Sequence, residues 1–127
     1  MKKKIVILGS TGSIGKTLLN VIKKNKKSFA IQLISANKDY KTIFKQAKEF
    51  NVKNIIITNK QSFQRALDKS KNKNLKIYNN FNCFKKIFKS KVDYVMSSIV
   101  GLDGLEPTLN IIKHTKKVAI ANKESII

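Results

Sequence analysis

The residues best placed to do chemistry begin at Gly9-Ser10-Thr11-Gly12-Ser13-Ile14-Gly15, directly after the apolar run Ile5-Val6-Ile7-Leu8. Glycines let a backbone turn sharply and approach a ligand closely, and a helix opening behind them offers unpaired N–H groups to a phosphate. The spacing is Gly-x-x-Gly-x-x-Gly, not the common Gly-x-Gly-x-x-Gly, and no Gly-Lys-Ser/Thr closes it as in a Walker loop. Its setting between a buried-type strand and an amphipathic helix points to nucleotide phosphate binding, with Gly9 at the turn, rather than to a purely structural bend.

A second group ends the next apolar run, at Ile34-Ser35-Ala36-Asn37-Lys38-Asp39. Dinucleotide domains use this position to read the ribose, an acid bonding free hydroxyls and a cation accepting a 2′-phosphate. Lys38 favours NADP here, whereas Asp39, 24 residues beyond Gly15, favours NAD. Two further loops are Ser97-Ser98-Ile99-Val100-Gly101-Leu102-Asp103-Gly104-Leu105 and Ala121-Asn122-Lys123-Glu124-Ser125. Asn122, Lys123 and Glu124 place an amide, a cation and a carboxylate in succession. Their spacing alone fits an ordinary turn before a helix, with Glu124 in its first turn.

The elements that must position these loops alternate strand with helix. Strands are predicted at 4–8, 30–36, 54–58, 75–78, 94–97 and 118–121, and helices at 13–24, 40–50, 61–69, 81–88 and 105–113. The stripe Tyr40, Ile43, Phe44, Ala47 and Phe50 is the clearest helical face, and Ile14, Leu18, Val21 and Ile22 suggest another. Pro107 suits a first helical turn. Phe44, Phe50, Phe63, Phe84 and Phe88 fall at core spacing and read as packing rather than as platforms for stacking bases. Continuous runs such as Ile55-Ile56-Ile57 fit strands covered on both faces. The expected fold is a Rossmann-like, doubly wound α/β domain: about six mainly parallel strands with helices on both faces.

Composition narrows the class further. The 127 residues suit one domain, and 42% hydrophobic content is too high for a disordered polycation. No apolar run approaches the roughly 18–20 residues of a membrane span, and the short run after Lys2-Lys3-Lys4 makes a poor signal peptide. The expected location is therefore cytoplasmic, with no membrane partner. Cys83 is the single cysteine, which rules out an internal disulfide and a thiol pair for zinc. The formal charge is +20, yet Arg65 is the only arginine among the 27 cations. Phosphate-recognising proteins favour the bidentate arginine fork. Lysines spread over almost every segment read as solvated helix faces, with A/T-rich codon usage behind them, and nucleic acid is disfavoured as a partner. Lys23, Lys24, Lys26 and Lys27 cluster where a helix ends, the favourable place for cations.

Taken together, Gly9 to Gly15, Ile99-Val100-Gly101 and Ala121-Asn122-Lys123-Glu124-Ser125, about 110 residues beyond the first loop, resemble the 1-deoxy-D-xylulose 5-phosphate reductoisomerase family over essentially the whole chain. The glycine loop alone is shared with semialdehyde dehydrogenases. The resemblance implies that residues 1–127 form an NADPH-binding domain of an oxidoreductase. That enzyme rearranges and reduces a sugar phosphate to 2-C-methyl-D-erythritol 4-phosphate, in non-mevalonate isoprenoid precursor synthesis. It further implies cofactor contacts from Thr11, Gly12, Ser13, Ile14, Asn122 and Glu124, and a substrate contact from Lys123. Asn37-Lys38-Asp39 aligns with an adenosine-phosphate loop that is typically Gly-Lys-Asn. Only Lys38 agrees; Asn37 could accept a left-handed backbone, and Asp39 could repel a 2′-phosphate.

The family's divalent metal, magnesium or manganese, is held by an Asp-x-Glu-His-Asn motif beyond the Asn-Lys-Glu-Ser loop. This sequence stops at Ile127, and His114, at a helix end, reads as a cap rather than a ligand. The expectation is a chain that binds NADPH without turning over: a fragment, a decayed gene product or half of a split enzyme. A homodimer and a separate chain carrying the catalytic half are both left open. Two alternatives stand beside this reading: an NADP-dependent reductase of the semialdehyde dehydrogenase type, and a basic nucleic-acid-binding α/β domain.

Overall fold

The computed structural model describes residues 2–99 and 105–120. Six strands, β1 (Lys3–Leu8), β2 (Phe29–Ala36), β3 (Asn54–Ile57), β4 (Lys76–Tyr78), β5 (Val92–Ser97) and β6 (Thr115–Ile120), form one sheet. Their order is β4-β3-β2-β1-β5-β6, and every pairing is parallel. The helices are α1 (Ser13–Lys23), α2 (Tyr40–Phe50), α3 (Lys60–Lys69), α4 (Phe84–Ile87) and α5 (Leu105–Ile111). The expected doubly wound α/β fold is the one observed.

From Ile5 to Leu8 the residues of β1 alternate between two cores, which is why that stretch is apolar at every position. Ile5 and Ile7 join Leu19, Ile22, Ile43 and Ala47 on the face that carries α1 and α2. Val6 and Leu8 join Phe84, Phe88, Val95 and Ile111 on the other. Each fully buried side chain of this size contributes about 1.5–3 kcal/mol relative to exposure. The aromatic residues pack as expected. Phe84 and Phe88 are buried, and Phe44, Phe50 and Phe63 are half-buried against the first core.

Three readings need correction. The buried stripe of α1 is Gly15, Leu19 and Ile22, whereas Ile14 and Val21 are 46% and 57% exposed. Close approach of Gly15 to the backbone of Gly9 and Ser10 sets the helix's rotation, and Leu19 and Ile22 follow at i+4 and i+7. The helix foreseen over 81–88 is a 3-10 turn, Phe81–Cys83, followed by the short α4. β6 begins at Thr115, because the helical segment before it tightens into a 3-10 turn at Ile112–His114. There His114 packs against the rings of Phe84 and Phe88, at 6.1 and 6.0 Å between centroids.

Topology decides where a ligand could sit. The chain runs outward from β1 through β2, β3 and β4, then returns to place β5 on the other side of β1. Strand order reverses there, and a crevice at such a switch point, outside the carboxyl ends of the strands, is where open α/β sheets bind ligands. Leu8 lies beside Ser97 and Ile7 beside Ile34, so the chain leaves β1 with Ser35 on one side and Ser98 on the other.

Candidate dinucleotide-binding site

At this crevice the glycine loop is held by serines from both neighbouring strands. Gly9 N–H donates to Ser35 Oγ at 2.9 Å, and Ser10 N–H to the Ser35 carbonyl at 2.8 Å. From the β5 side, Ser98 Oγ lies 3.0 Å from the carbonyls of both Leu8 and Gly9, and Ser98 N–H donates to Leu8. Ser10 and Ser35 are buried, and so is Gln46 of α2. Gln46 Oε1 accepts from Ser10 Oγ at 2.7 Å while Nε2 donates to the Ser10 carbonyl at 2.9 Å. None of these supports except the loop itself was legible as a site residue. A hydrophilic residue inside the apolar stripe of α2 was the available signal for Gln46.

The three glycines do different work. Gly9 has φ +82°, a conformation side chains rarely adopt, and a Cβ there would lie 3.1 Å from Ser98. A Cβ on Gly15 would strike the Gly9 carbonyl and lie 2.6 Å from Ser10 Cα. Gly12 is unlike both: its Cβ would meet only the Gly9 carbonyl, at an ordinary 3.7 Å. Among the described residues nothing in the packing demands glycine at this position. Gly12 is also the N-cap of α1 and supplies no side-chain bond, and that helix has no acid in its first turn. By contrast α2 is capped by Asp39 and α3 by Asn59. The amide groups opening α1 thus face the crevice without a capping side chain, the arrangement that accommodates a phosphate.

A cleft of about 760 Å³ opens over the loop, lined among others by Gly9, Thr11, Gly12, Asn37, Phe81 and Ile99. Its far wall includes Glu106, Pro107 and Asn110 of α5. That helix is tied to β5 by the buried Ser97–Thr108 hydroxyl pair, 2.9 Å apart. Of the residues expected at the site, Gly9, Thr11, Gly12 and Asn37 therefore share one cleft. Ser13 and Ile14 are exposed in the first turn of α1, and Lys38 and Asp39 are exposed just beyond Asn37. Asn122, Lys123 and Glu124 lie outside the described residues, as does most of the Val100–Gly104 segment's loop.

Two details of the ribose-side loop were not foreseen. Asn37 does not use a left-handed backbone, since Asn51 is the only non-glycine with positive φ among the described residues. Its side chain accepts instead from Thr58 Oγ1, at 2.9 Å. Asp39 is committed to α2, its carboxylate accepting from Thr42 N–H at 3.0 Å and Thr42 Oγ1 at 2.7 Å. Those bonds hold its pKa below the ordinary carboxylate value, helped by Lys16 and Lys45. Cys83 is buried, and burial pushes its thiol up to about 11, so it is no nucleophile at neutral pH. Among the described residues no three His, Cys, Asp or Glu side chains gather to hold a metal. Nor is any described helix long and apolar enough to cross a membrane.

Residues 5–127 match the family model of 1-deoxy-D-xylulose 5-phosphate reductoisomerase. The chain belongs to this family. The reductoisomerase of Pelagibacter ubique strain HTCC1062 is 55% identical in an alignment 127 positions long that covers 98% of this chain and 33% of that protein. The Zymomonas mobilis reductoisomerase in complex with NADPH superposes with a TM-score of 0.88 at 28% identity, covering 99% of this chain and 33% of that one. A reductoisomerase structure with NADPH, fosmidomycin and magnesium gives 0.85 at 28% identity, covering 98% and 31%. The chain thus spans about a third of the length of the relatives it matches.

Proposed function

We propose that residues 1–127 are an NADPH-binding domain and that the dinucleotide lies across the crevice between β1 and β5. The observation that carries this reading is Gly12: a glycine that no contact among the described residues requires, at the uncapped start of α1, facing a cleft of about 760 Å³. In this reading Gly9, Thr11, Gly12, Ser13 and Ile14 receive the pyrophosphate. Asn37 and Lys38 receive the adenosine phosphate, with Asp39 beside them fixing the start of α2. Asn122 and Glu124 complete the cofactor contacts, and Lys123 holds a phosphorylated substrate. NADPH bound here supplies a hydride; the protein's part is to hold and orient it and to exclude water.

In the complete enzyme the reaction is rearrangement and reduction of 1-deoxy-D-xylulose 5-phosphate to 2-C-methyl-D-erythritol 4-phosphate. The relatives' shared name and the NADPH complex of the Zymomonas mobilis protein support that assignment. The cytoplasm suits it, where a lone thiol such as Cys83 stays reduced. Titration of the chain with NADPH and NADH at physiological salt tests the reading. Saturable binding that prefers NADPH is expected. A folded chain that binds neither nucleotide, or binds equally well with Gly12→Val, would overturn it.

A further inference from the structure

Gln46 belongs to neither binding loop, yet its amide closes a ring with Ser10. The Ser10 carbonyl can only accept, so the group 2.9 Å from it must be the amide nitrogen, and the oxygen then faces the Ser10 hydroxyl at 2.7 Å. The side chain is buried, at 8% exposure, so neither bond is exchanged for water without cost. Gln46 also sits on α2, less than two turns beyond the Asp39 cap that fixes its first turn next to Asn37 and Lys38. One helix therefore holds the glycine loop at Gln46 and ends at the ribose-side loop.

We propose that Gln46 is a positioning residue that couples the glycine loop to α2, so that the pyrophosphate and ribose-phosphate ends of a bound dinucleotide rest on one rigid unit. This rests on the dinucleotide reading above. The amide is suited to the task because it donates and accepts at once. A carboxylic acid of the same shape does so only while protonated.

That difference supplies the test. Gln46→Glu is expected to mimic the amide when neutral, and burial raises its pKa above the usual value of about 4.3. When ionised it turns a bare oxygen on the Ser10 carbonyl. Asp39, the carboxylate at the same helix's start, is held low and stays ionised throughout, with Lys16 and Lys45 around it. Affinity for NADP⁺, chosen because it survives mild acid, is measured from pH 5 to 8 as the ratio of variant to unmodified chain. That ratio cancels titration of the 2′-phosphate. The expected result is near-equal affinity at pH 5 and a loss of about tenfold at pH 8. In ligand-free protein, the backbone amide resonances of Gly9 to Gly12 and of Asp39 to Thr42 should move together with the same midpoint.

A flat affinity ratio in a folded variant, or loop amides that move while those of α2 do not, would overturn the coupling and leave the nucleotide reading intact. Joint movement of both segments in a chain that binds no NADP⁺ would support the coupling and sink the nucleotide reading. Should Gln46→Glu fail to fold at pH 8, Ser10→Ala deletes the 2.7 Å bond to Gln46 together with the longer 3.3 Å contact of the same hydroxyl with the Ser35 carbonyl, and leaves the Gln46 bond to the Ser10 carbonyl in place. About a threefold weaker affinity is then expected, and unchanged affinity overturns the proposal.

Discussion

The two edges of the sheet are built from different chemistries. At the carboxyl edge most of the exposed and half-buried polar groups are hydroxyls and amides, Thr11, Ser13, Asn37, Thr58, Asn80 and Asn82, with Lys38, Asp39 and Glu106 among them. At the amino edge they are lysines, gathered where each helix ends and the next strand begins, as at Lys23 and Lys24, Lys48 and Lys53, and Lys69 to Lys76. Two smaller clefts there, of about 420 and 600 Å³, carry Lys2, Lys26 and Lys53 and then Lys48, Lys69 and Lys71. Every helix of a parallel α/β domain points its carboxyl end at the amino edge, so the dipole preference for cations acts at the same edge each time. A charge of +20 that is spread along the chain is thereby polarised in space. The ligand edge uses groups that donate and accept hydrogen bonds, and the opposite edge carries most of the charge. The glycine loop itself carries no lysine, and on the ribose side of the same edge Lys38 is the cation next to Asn37.

The sharpest way to break that contrast is inside the glycine loop. Gly15→Ala drives a Cβ into backbone on α1's buried face, with Ser10 Cα at 2.6 Å and its carbonyl carbon at 2.7 Å. Neither neighbour can rotate away, so a loss of about 3 kcal/mol, the upper end for overpacking, is expected in denaturant unfolding, together with loss of NADPH binding. Gly12→Asp separates the two consequences. The new carboxylate caps α1 and faces its positive dipole end, which should stabilise the fold by about 0.5–1 kcal/mol. The same charge occupies the place of a phosphate, and NADPH affinity should fall by more than about 100-fold, nearly 3 kcal/mol by the usual conversion. A variant that is both more stable and still binding would refute the site.

Much of the loop could be read from the residues because it is local: strand, turn and helix are contiguous, and Gly9 and Gly15 each have a backbone reason. The order of the sheet was less accessible, since β5 returns past three strands to lie against β1, a pairing no periodicity reveals. Ser98 reaches Gly9 only because of that pairing. The α1 stripe failed for a related reason. Hydrophobicity favoured Ile14 and Val21, but a glycine contact fixed the helix's rotation and turned both outward. Helix ends carried the lysines visibly enough, yet their convergence on one edge needs the parallel topology before it means anything.

At the amino edge the effects should be smaller and opposite in kind. Lys71, Lys73 and Lys76 are all exposed near the start of β4. Reversing all three to glutamate relieves repulsion among like charges and should raise stability, by on the order of 1 kcal/mol at low salt and less at 0.15 M, where the Debye length is about 8 Å. Retention on a polyanionic resin should drop, while NADPH affinity stays within about twofold. A large loss of NADPH binding would mean that the two edges are not separate after all.

Asp39 gives the finest comparison, because it places a negative charge on the ligand edge directly beside Asn37 and Lys38. Its folded pKa is depressed by the bonds from Thr42, so its contribution to stability is complete above the ordinary value of 3.8 and is lost as pH falls through the lower folded value. Asp39→Asn keeps an oxygen to accept from Thr42 N–H, and asparagine is as good an N-cap as aspartate, so stability at pH 7 should change by less than about 0.5 kcal/mol. The acid-side decline should weaken in that variant. Removing the charge should also favour a 2′-phosphate, improving NADPH affinity by about three- to fivefold while leaving NADH affinity nearly unchanged. Asp39→Ala is the control: it removes the same charge but also the cap, at a cost of about 1 kcal/mol. If both variants gain the same preference for NADPH, charge alone sets it. If only Asp39→Asn gains, the ordered start of α2 matters as much as the sign of the group that holds it.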